Sequence, residues 1–148
     1  MVLLFSGCAI KEYAINEPKL VILKTPKLRF SDTGYIRRNG DALQLELYSS
    51  GIPVKRFEMN RLMCVDEGCM SKSHFNATYL SAYYPDDLLL HVSQGMPLFE
   101  GVNLTKTSQG YEQHIVSDVV DIIYRVSEQE TYFKDSKNNI LIRLKALP

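Results

Sequence analysis

The sequence predicts a single α+β domain in which two helices gather on one face of an antiparallel sheet. The chain has 148 residues and is 45% hydrophobic, which is enough for one domain with one core. Its apolar residues recur at the period of a strand in two regions, and at the period of a helix in the region between them. An order of strands, helices and strands is typical of this fold class.

The first of the two strand regions contains a clear hairpin. Apolar and polar residues alternate over 28–37, and Asn39-Gly40 follows as the strongest hairpin signal in the chain. The return strand places three leucines on one face and Gln44, Glu46 and Tyr48 on the other. This alternation predicts that one face of the sheet is buried and the other faces water.

Two helices are predicted in the middle of the chain. Ser73 is placed to cap the first, which carries aromatic residues at four-residue spacing. The second begins at Pro85-Asp86-Asp87 and is stopped by Gly95 and Pro97. Two adjacent carboxylates can also serve acid–base catalysis, but the helix dipole already gives acids in a first turn a structural role, which we favour.

Strand periodicity returns near the end of the chain. Residues 120–126 and 140–145 alternate, and Lys137-Asn138-Asn139 supplies the turn before the last strand. No internal repeat or linker interrupts the pattern. The sequence therefore predicts one folded domain over residues 20–148.

Composition and motifs argue against an enzyme. Seventeen basic and seventeen acidic side chains cancel, so no basic field is available to attract nucleic acid. The sequence contains no zinc-binding HExxH pattern, no glycine-rich phosphate loop and no nucleophile elbow. His74, His91 and His114 lie in separate predicted elements. We predict no catalytic residues, no metal site and no cofactor, which leaves binding as the activity.

The N-terminus has the pattern of a targeting signal. An apolar run over residues 1–7 ends in Ser6-Gly7 immediately before Cys8, as in a secretory signal that is cut after small residues. It resembles the lipobox of bacterial lipoproteins, in which the cysteine is acylated. We interpret 1–7 as the remnant of a signal peptide, Cys8 as the lipidation site and 8–19 as a lipidated tether. The alternative is that these residues form a buried first strand.

The other two cysteines, Cys64 and Cys69, flank a short polar segment. A disulfide between them is plausible in an oxidising compartment, and two free thiols are the alternative. A metal site would need further ligands, which do not cluster near them.

The hairpin tip at 50–54 carries an aliphatic residue where a turn is normally polar. Ile52, between Gly51 and Pro53, must either fold back on the core or meet an apolar partner. The residue pattern alone favours the core interpretation.

Together these segments resemble the LolB family of outer-membrane lipoproteins. The resemblance rests on residues 43–53, which look like that family's strand and protruding loop, and on 84–90 and 95–97, which look like its second helix and helix stop. It implies an unclosed half-barrel, a curved antiparallel sheet whose concave apolar face is covered by about two helices. The space between them would hold acyl chains.

The resemblance also implies a function. Members of the family are anchored in the outer membrane, face the periplasm, accept acylated lipoproteins from a LolA-like periplasmic carrier and insert them into outer-membrane lipid. An aliphatic residue of the protruding loop enters the bilayer, and by position this would be Ile52, with Gly51 and Pro53 beside it. We expect a monomer. The alternatives are an envelope lipoprotein that binds another lipid or apolar ligand, and a structural lipoprotein that docks another protein.

Overall fold

A computed structural model describes residues 15–66 and 68–148. The predicted signal remnant, Cys8 and most of the tether lie outside the described residues. The described part contains two α-helices, α1 (Lys72–Tyr79) and α2 (Leu88–Gln94), a 3-10 turn at Phe99–Gly101, and eleven strands. The strands are β1 (Ile15–Lys24), β2 (Arg29–Asn39), β3 (Ala42–Ser49), β4 (Ile52–Met59), β5 (Met63–Val65), β6 (Gly68–Met70), β7 (Leu104–Lys106), β8 (Gly110–Val116), β9 (Asp121–Ser127), β10 (Glu130–Asp135) and β11 (Ile140–Ala146).

The strands form one antiparallel sheet made of two meanders. Strands β1 to β6 pair in chain order, as do β7 to β11, and the two meanders join where β1 pairs with β11. The helices lie between the meanders in the chain. Strands β6 and β7 are the two edges within the described residues, so the sheet is not closed. The predicted antiparallel sheet, with helices inserted between two sets of strands, is confirmed.

The sheet must curve to form its single core. Eleven flat strands would extend over about 50 Å, whereas helices of eight and seven residues are only about 10–12 Å long. A single groove is nevertheless lined by Leu43 of β3 and Val126 of β9, which are five strands apart in the sheet order. In a flat sheet these strands would be about 24 Å apart. Curvature brings the two halves of the sheet to face each other.

Aromatic side chains join the helical segment to the sheet. The ring of Phe75 in α1 packs edge-on against Phe57 of β4, with centroids 5.9 Å apart. Tyr84, between the helices, packs in the same way against Phe133 of β10 at 5.7 Å. Phe57, Phe75 and Phe133 are almost completely buried. The segment from α1 to α2 therefore contacts both halves of the sheet.

Both helix starts differ from the prediction. Helix α1 is capped by Ser71, not Ser73, because the Ser71 hydroxyl accepts a hydrogen bond from the backbone N–H of His74 at 3.2 Å. Helix α2 begins at Leu88, so the two acids precede it and do not lie in its first turn. The Asp87 carboxylate pairs with Lys72 Nζ at 2.6 Å. The predicted stop at Gly95 is confirmed, with φ 64° in the left-handed region.

The first strand corrects the predicted boundary between tether and domain. Strand β1 begins at Ile15, and its residues 15–19 pair with residues 34–38 of β2, so they belong to the folded domain. The pattern hid this segment because it contains Pro18. Pairing with β11 begins only at Lys19, so Pro18 has a single neighbouring strand and its missing N–H is tolerated.

Candidate functional site

The tip of the β3–β4 hairpin displays an aliphatic side chain. Its two turn residues, Ser50 and Gly51, have φ of 52° and 80°, the left-handed pair that is typical of a tight hairpin turn. Ile52 pairs with Ser49 directly after the turn and is 65% exposed. The core interpretation of Ile52 is therefore wrong. Pro53 beside it is also exposed.

Polar contacts hold the base of this tip. The Asp32 carboxylate accepts a hydrogen bond from the backbone N–H of Ser50 at 3.3 Å. On the other side, the Asp66 carboxylate accepts bonds from Lys55 Nζ at 3.2 Å and from the backbone N–H of Arg56 at 3.1 Å. These contacts join the hairpin to strand β2 on one side and to the β5–β6 turn on the other, so the backbone that carries Ile52 is held on both sides.

A buried carboxylate lies behind the tip on the outer face of β3. Glu46 is 5% exposed and pairs with Arg37 at 3.4 Å and Arg56 at 3.3 Å. Gln44 Nε2 donates to it at 2.9 Å. Tyr48 donates a hydrogen bond to Glu46, which is the main cause that raises the pKa of the Tyr48 hydroxyl. The prediction of a water-facing outer face is wrong at Gln44 and Glu46 because long neighbouring side chains cover them.

Cys64 and Cys69 are joined by a disulfide. They lie directly opposite each other on β5 and β6, with Cα atoms 4.0 Å apart. The bridge holds two strands of three residues each at one edge of the sheet. Sequence patterns missed both strands because three residues are too few to establish a period.

A groove opens into the inner face beside the end of α2. It has a volume of about 250 Å³, and strand residues from both halves of the sheet line it. Its apolar lining consists of Ile36, Leu43, Val126 and Leu144. Ser93 of α2 also faces it; this residue is 7% exposed, and its hydroxyl has no hydrogen-bond partner within the described part of the chain. Charged and uncharged polar residues, including Lys19, Glu128 and Thr131, complete the lining.

Tyrosine hydroxyls fix the segment that follows α2. Tyr111 donates to the carbonyl of Gly95 at 2.5 Å, and Tyr124 donates to the carbonyl of Met96 at 2.8 Å. Burial raises the pKa of both tyrosines. The Gln113 side chain bonds both the N–H and the carbonyl of Leu98 at 2.8 Å. The end of α2 is therefore fastened to β8 and β9.

Three methionines lie on the inner face of the sheet, in strands β4, β5 and β6. Met59, Met63 and Met70 are successive partners across β4, β5 and β6, so they share one face of the sheet. Met59 and Met63 are buried, and Met70 packs against the core. Methionine is flexible and polarizable, and surfaces that accept varied apolar ligands are rich in it. This is the part of the inner face best able to change its packing.

The remaining candidates do not form a common site. His74 lies in α1, His91 in α2 and His114 in β8, where His114 contacts Asp121 at 3.0 Å. Within residues 15–66 and 68–148, no three His, Cys, Asp or Glu side chains are arranged to hold a metal ion. None of the helices in that part is long and apolar enough to cross a bilayer.

Comparisons with protein-family models, with curated proteins and with solved structures gave no match.

Proposed function

We propose that this protein is a lipid-anchored lipoprotein of the outer membrane that accepts acylated lipoproteins from a periplasmic carrier and inserts them into the membrane. The observation that carries the proposal is the exposed Ile52 on a braced hairpin tip, at one end of an open antiparallel sheet with an apolar inner face. Val54, two residues along β4, is also 49% exposed, so the tip presents more than one aliphatic side chain, which suits insertion into lipid.

The proposed cargo site is the inner face of the sheet, with α1 and α2 covering its concave side. Helix α2 buries Leu88, Leu89 and Val92, and α1 buries Phe75. The groove of about 250 Å³ is smaller than the roughly 300–1,000 Å³ typical of ligand pockets. Cargo chains would therefore enter beside α2 and displace core side chains, and the methionines of β4, β5 and β6 would adapt to them.

The energetics require no nucleotide. Burying each methylene of an acyl chain contributes about 0.8 kcal/mol, whether the chain lies in the carrier, in this protein or in lipid. Transfer between two protein interiors is therefore nearly neutral, and the bilayer is the final sink. The role of Ile52 is to bring the protein interior, with its bound acyl chains, into contact with the bilayer.

A matched pair of variants tests the delivery role. Ile52→Glu should accept cargo from the carrier, and it should deliver that cargo to liposomes roughly tenfold or more slowly, because it loses the burial of one aliphatic side chain. Leu62→Glu is the control, since Leu62 is 50% exposed in the turn at the opposite end of β4. Equal delivery by the two variants would contradict the role given to the tip.

A second candidate function follows from the filled interior. Within the part of the chain that the structure describes, twenty-five buried hydrophobic residues occupy the core. A filled interior suits a structural lipoprotein that docks another protein, as well as one that opens to admit lipid. The protein can be purified from its native membrane and extracted for bound lipid, which distinguishes a lipid carrier from a docking lipoprotein. Recovery of bound acyl chains favours a carrier, of lipoproteins or of another lipid, whereas their absence together with failure to accept cargo favours docking.

A further inference from the structure

The most exposed large apolar side chains of the described part share one end of the sheet. Ile52 is 65% exposed, and Tyr83 and Val116 are each 59% exposed. Ile52 and Val116 border the β3–β4 and β8–β9 turns, and Tyr83 lies in the connection between the helices. We call the end of the sheet that holds these segments, together with the β1–β2 and β10–β11 turns, the tip end.

Strand register places Val116 at the tip end. Lys24, the last residue of β1, pairs with Leu141 at the start of β11, so the β1–β2 and β10–β11 turns lie together. The β8–β9 turn adjoins them, because Asn138 Nδ2 donates to the carbonyl of Val119 at 2.9 Å. Val119 is itself 38% exposed. This turn is therefore a second aliphatic tip, several strands away from Ile52.

Hydrogen bonds place Tyr83 at the same end. The Ser81 hydroxyl donates to the side chain of Asn138 at 3.0 Å, and the Tyr84 hydroxyl donates to Asp135 at 2.6 Å. Both partners belong to the end of β10 or to the turn that follows it. Tyr83 lies between Ser81 and Tyr84, so its exposed ring is presented beside the β10–β11 turn. Tyrosine is enriched where an apolar phase meets water.

Cations lie between the two aliphatic tips. Lys24, Lys27, Arg29 and Lys134 are exposed around the β1–β2 and β10–β11 turns, and Lys24, Arg29 and Lys134 line one open groove of about 670 Å³. None of the four belongs to an ion pair within the described residues. Unpaired cations beside exposed aliphatic and aromatic side chains suit an anionic phospholipid surface.

We propose that the whole tip end, and not Ile52 alone, is a docking surface for an anionic bilayer. Ile52 and Val116 enter the acyl region, Tyr83 lies at the interface, and the four cations contact lipid phosphates. This inference rests on the proposed delivery to a membrane, but not on the transfer of cargo. Two separated tips also fix the orientation of the sheet on the bilayer, which a single inserted side chain does not.

Depth-dependent fluorescence quenching tests the docking surface. A single fluorophore is attached to the full-length acylated protein at Ile52→Cys, Tyr83→Cys or Val116→Cys, with Leu62→Cys as the control at the opposite end. The probe is vesicles that contain phosphatidylglycerol and brominated acyl chains. We expect strong quenching at positions 52, 83 and 116, and little at 62.

Each other pattern overturns the inference in a distinguishable way. Quenching at 52 without 83 and 116 refutes the extended surface and leaves the proposed function standing. Absence of quenching at all positions refutes both, and equal quenching at 62 shows adsorption without a preferred face. A protein-docking surface is indicated if the carrier alone, without vesicles, changes the fluorescence at 83 and 116 while vesicles do not.

Charge substitutions provide the second test. In the full chain carrying Cys8→Ala, which removes the anchor, Lys27→Gln and Lys134→Gln should each lower binding to phosphatidylglycerol vesicles about fivefold. Binding to phosphatidylcholine vesicles should not change. An equal loss on both kinds of vesicle, or no loss on either, contradicts the role of these cations.

Discussion

The hydrogen bond between Tyr84 and Asp135 provides the sharpest test of how the helical segment is fastened to the sheet. Asp135 is fully buried at the end of β10, and the Tyr84 hydroxyl donates to its carboxylate at 2.6 Å. Replacing this tyrosine by phenylalanine removes the hydroxyl and keeps the ring, which packs against Phe133. The variant Tyr84→Phe therefore isolates the polar contact.

The expected cost is moderate because the carboxylate keeps its other donors. Four remain, namely the backbone N–H groups of Asp121, Lys137 and Asn138 and the side-chain amide of Asn138. A hydrogen bond to a charged group contributes about 1.5–3 kcal/mol, and we expect the low end of that range. A loss of about 1.5 kcal/mol lowers the Tm of a chain of this size by about 3–6 °C.

The pH dependence of the same variant makes the test specific. Burial, followed by the hydrogen bond to Asp135, raises the pKa of Tyr84 above its ordinary value near 10. A raised pKa means that the stabilisation is complete below pH 10 and is lost as the pH rises, at about 1.4 kcal/mol per unit. The variant has no phenol at this position to titrate. The stabilities of the parent and Tyr84→Phe should therefore converge near about pH 11.

Urea unfolding of both proteins between neutral pH and pH 11 measures this convergence. Tyr83→Phe is the control, because Tyr83 is adjacent in the chain and exposed, and it should change stability by less than about 0.5 kcal/mol. A Tyr84→Phe difference that equals this control, or that stays constant with pH, refutes the fastening described above.

Two further predictions concern the strands. Gly110→Ala should lower the free energy of unfolding by about 2–3 kcal/mol, measured in urea, because its Cβ would lie 1.9 Å from the carbonyl oxygen of Val126. The control is Gly68→Ala, whose Cβ would meet nothing closer than 3.9 Å. Similar losses of stability in both variants would contradict this reason. Reducing the disulfide between Cys64 and Cys69 should lower the free energy of unfolding by about 2 kcal/mol, the value expected for so short a loop. The stability of the double variant Cys64→Ala/Cys69→Ala should not change with reductant. Unchanged stability of the reduced parent would show that the disulfide does not stabilise the fold.

The parts of the fold that the sequence predicts are those with local causes. The Asn39-Gly40 turn follows from a glycine that accepts φ of 59°, and Gly95 ends α2 for the same reason. Long strands such as β2 and β11 have enough residues to display a period of two. Strands β5, β6 and β7 have three residues each, which are too few to display a period. The sequence pattern did not predict β8 either, although buried and exposed residues alternate from Gln113 to Val116.

Features that depend on the folded backbone or on distant partners could not be predicted. Glu46 is buried because Arg37 and Arg56, on the neighbouring strands, pair with it across the outer face. Ser71 and Ser73 are equally suitable caps by residue type, and the choice depends on the extended backbone at Ser71. The exposure of Ile52 depends on the turn geometry at Ser50 and Gly51, which aligns it with the end of the hairpin.

Only part of the candidate site could be predicted from the sequence, for the same reason. The tip residues could be singled out from the sequence because an aliphatic residue in a turn is unusual. The second tip at Val116 and the exposed Tyr83 could not, since only the pairing of strands brings their segments to the same end of the sheet as Ile52. The groove beside α2 likewise requires the curvature that places Leu43 near Val126.

The most direct test of the central proposal is the first step of the transfer reaction with the parent protein. A fluorescently labelled, acylated lipoprotein bound to its soluble carrier is mixed with this protein, first without and then with liposomes. The proposal predicts that the label moves from the carrier to this protein without nucleotide, and then to the liposomes when they are added. If the label stays on the carrier at every protein concentration, the protein does not accept lipoproteins and the proposal is wrong.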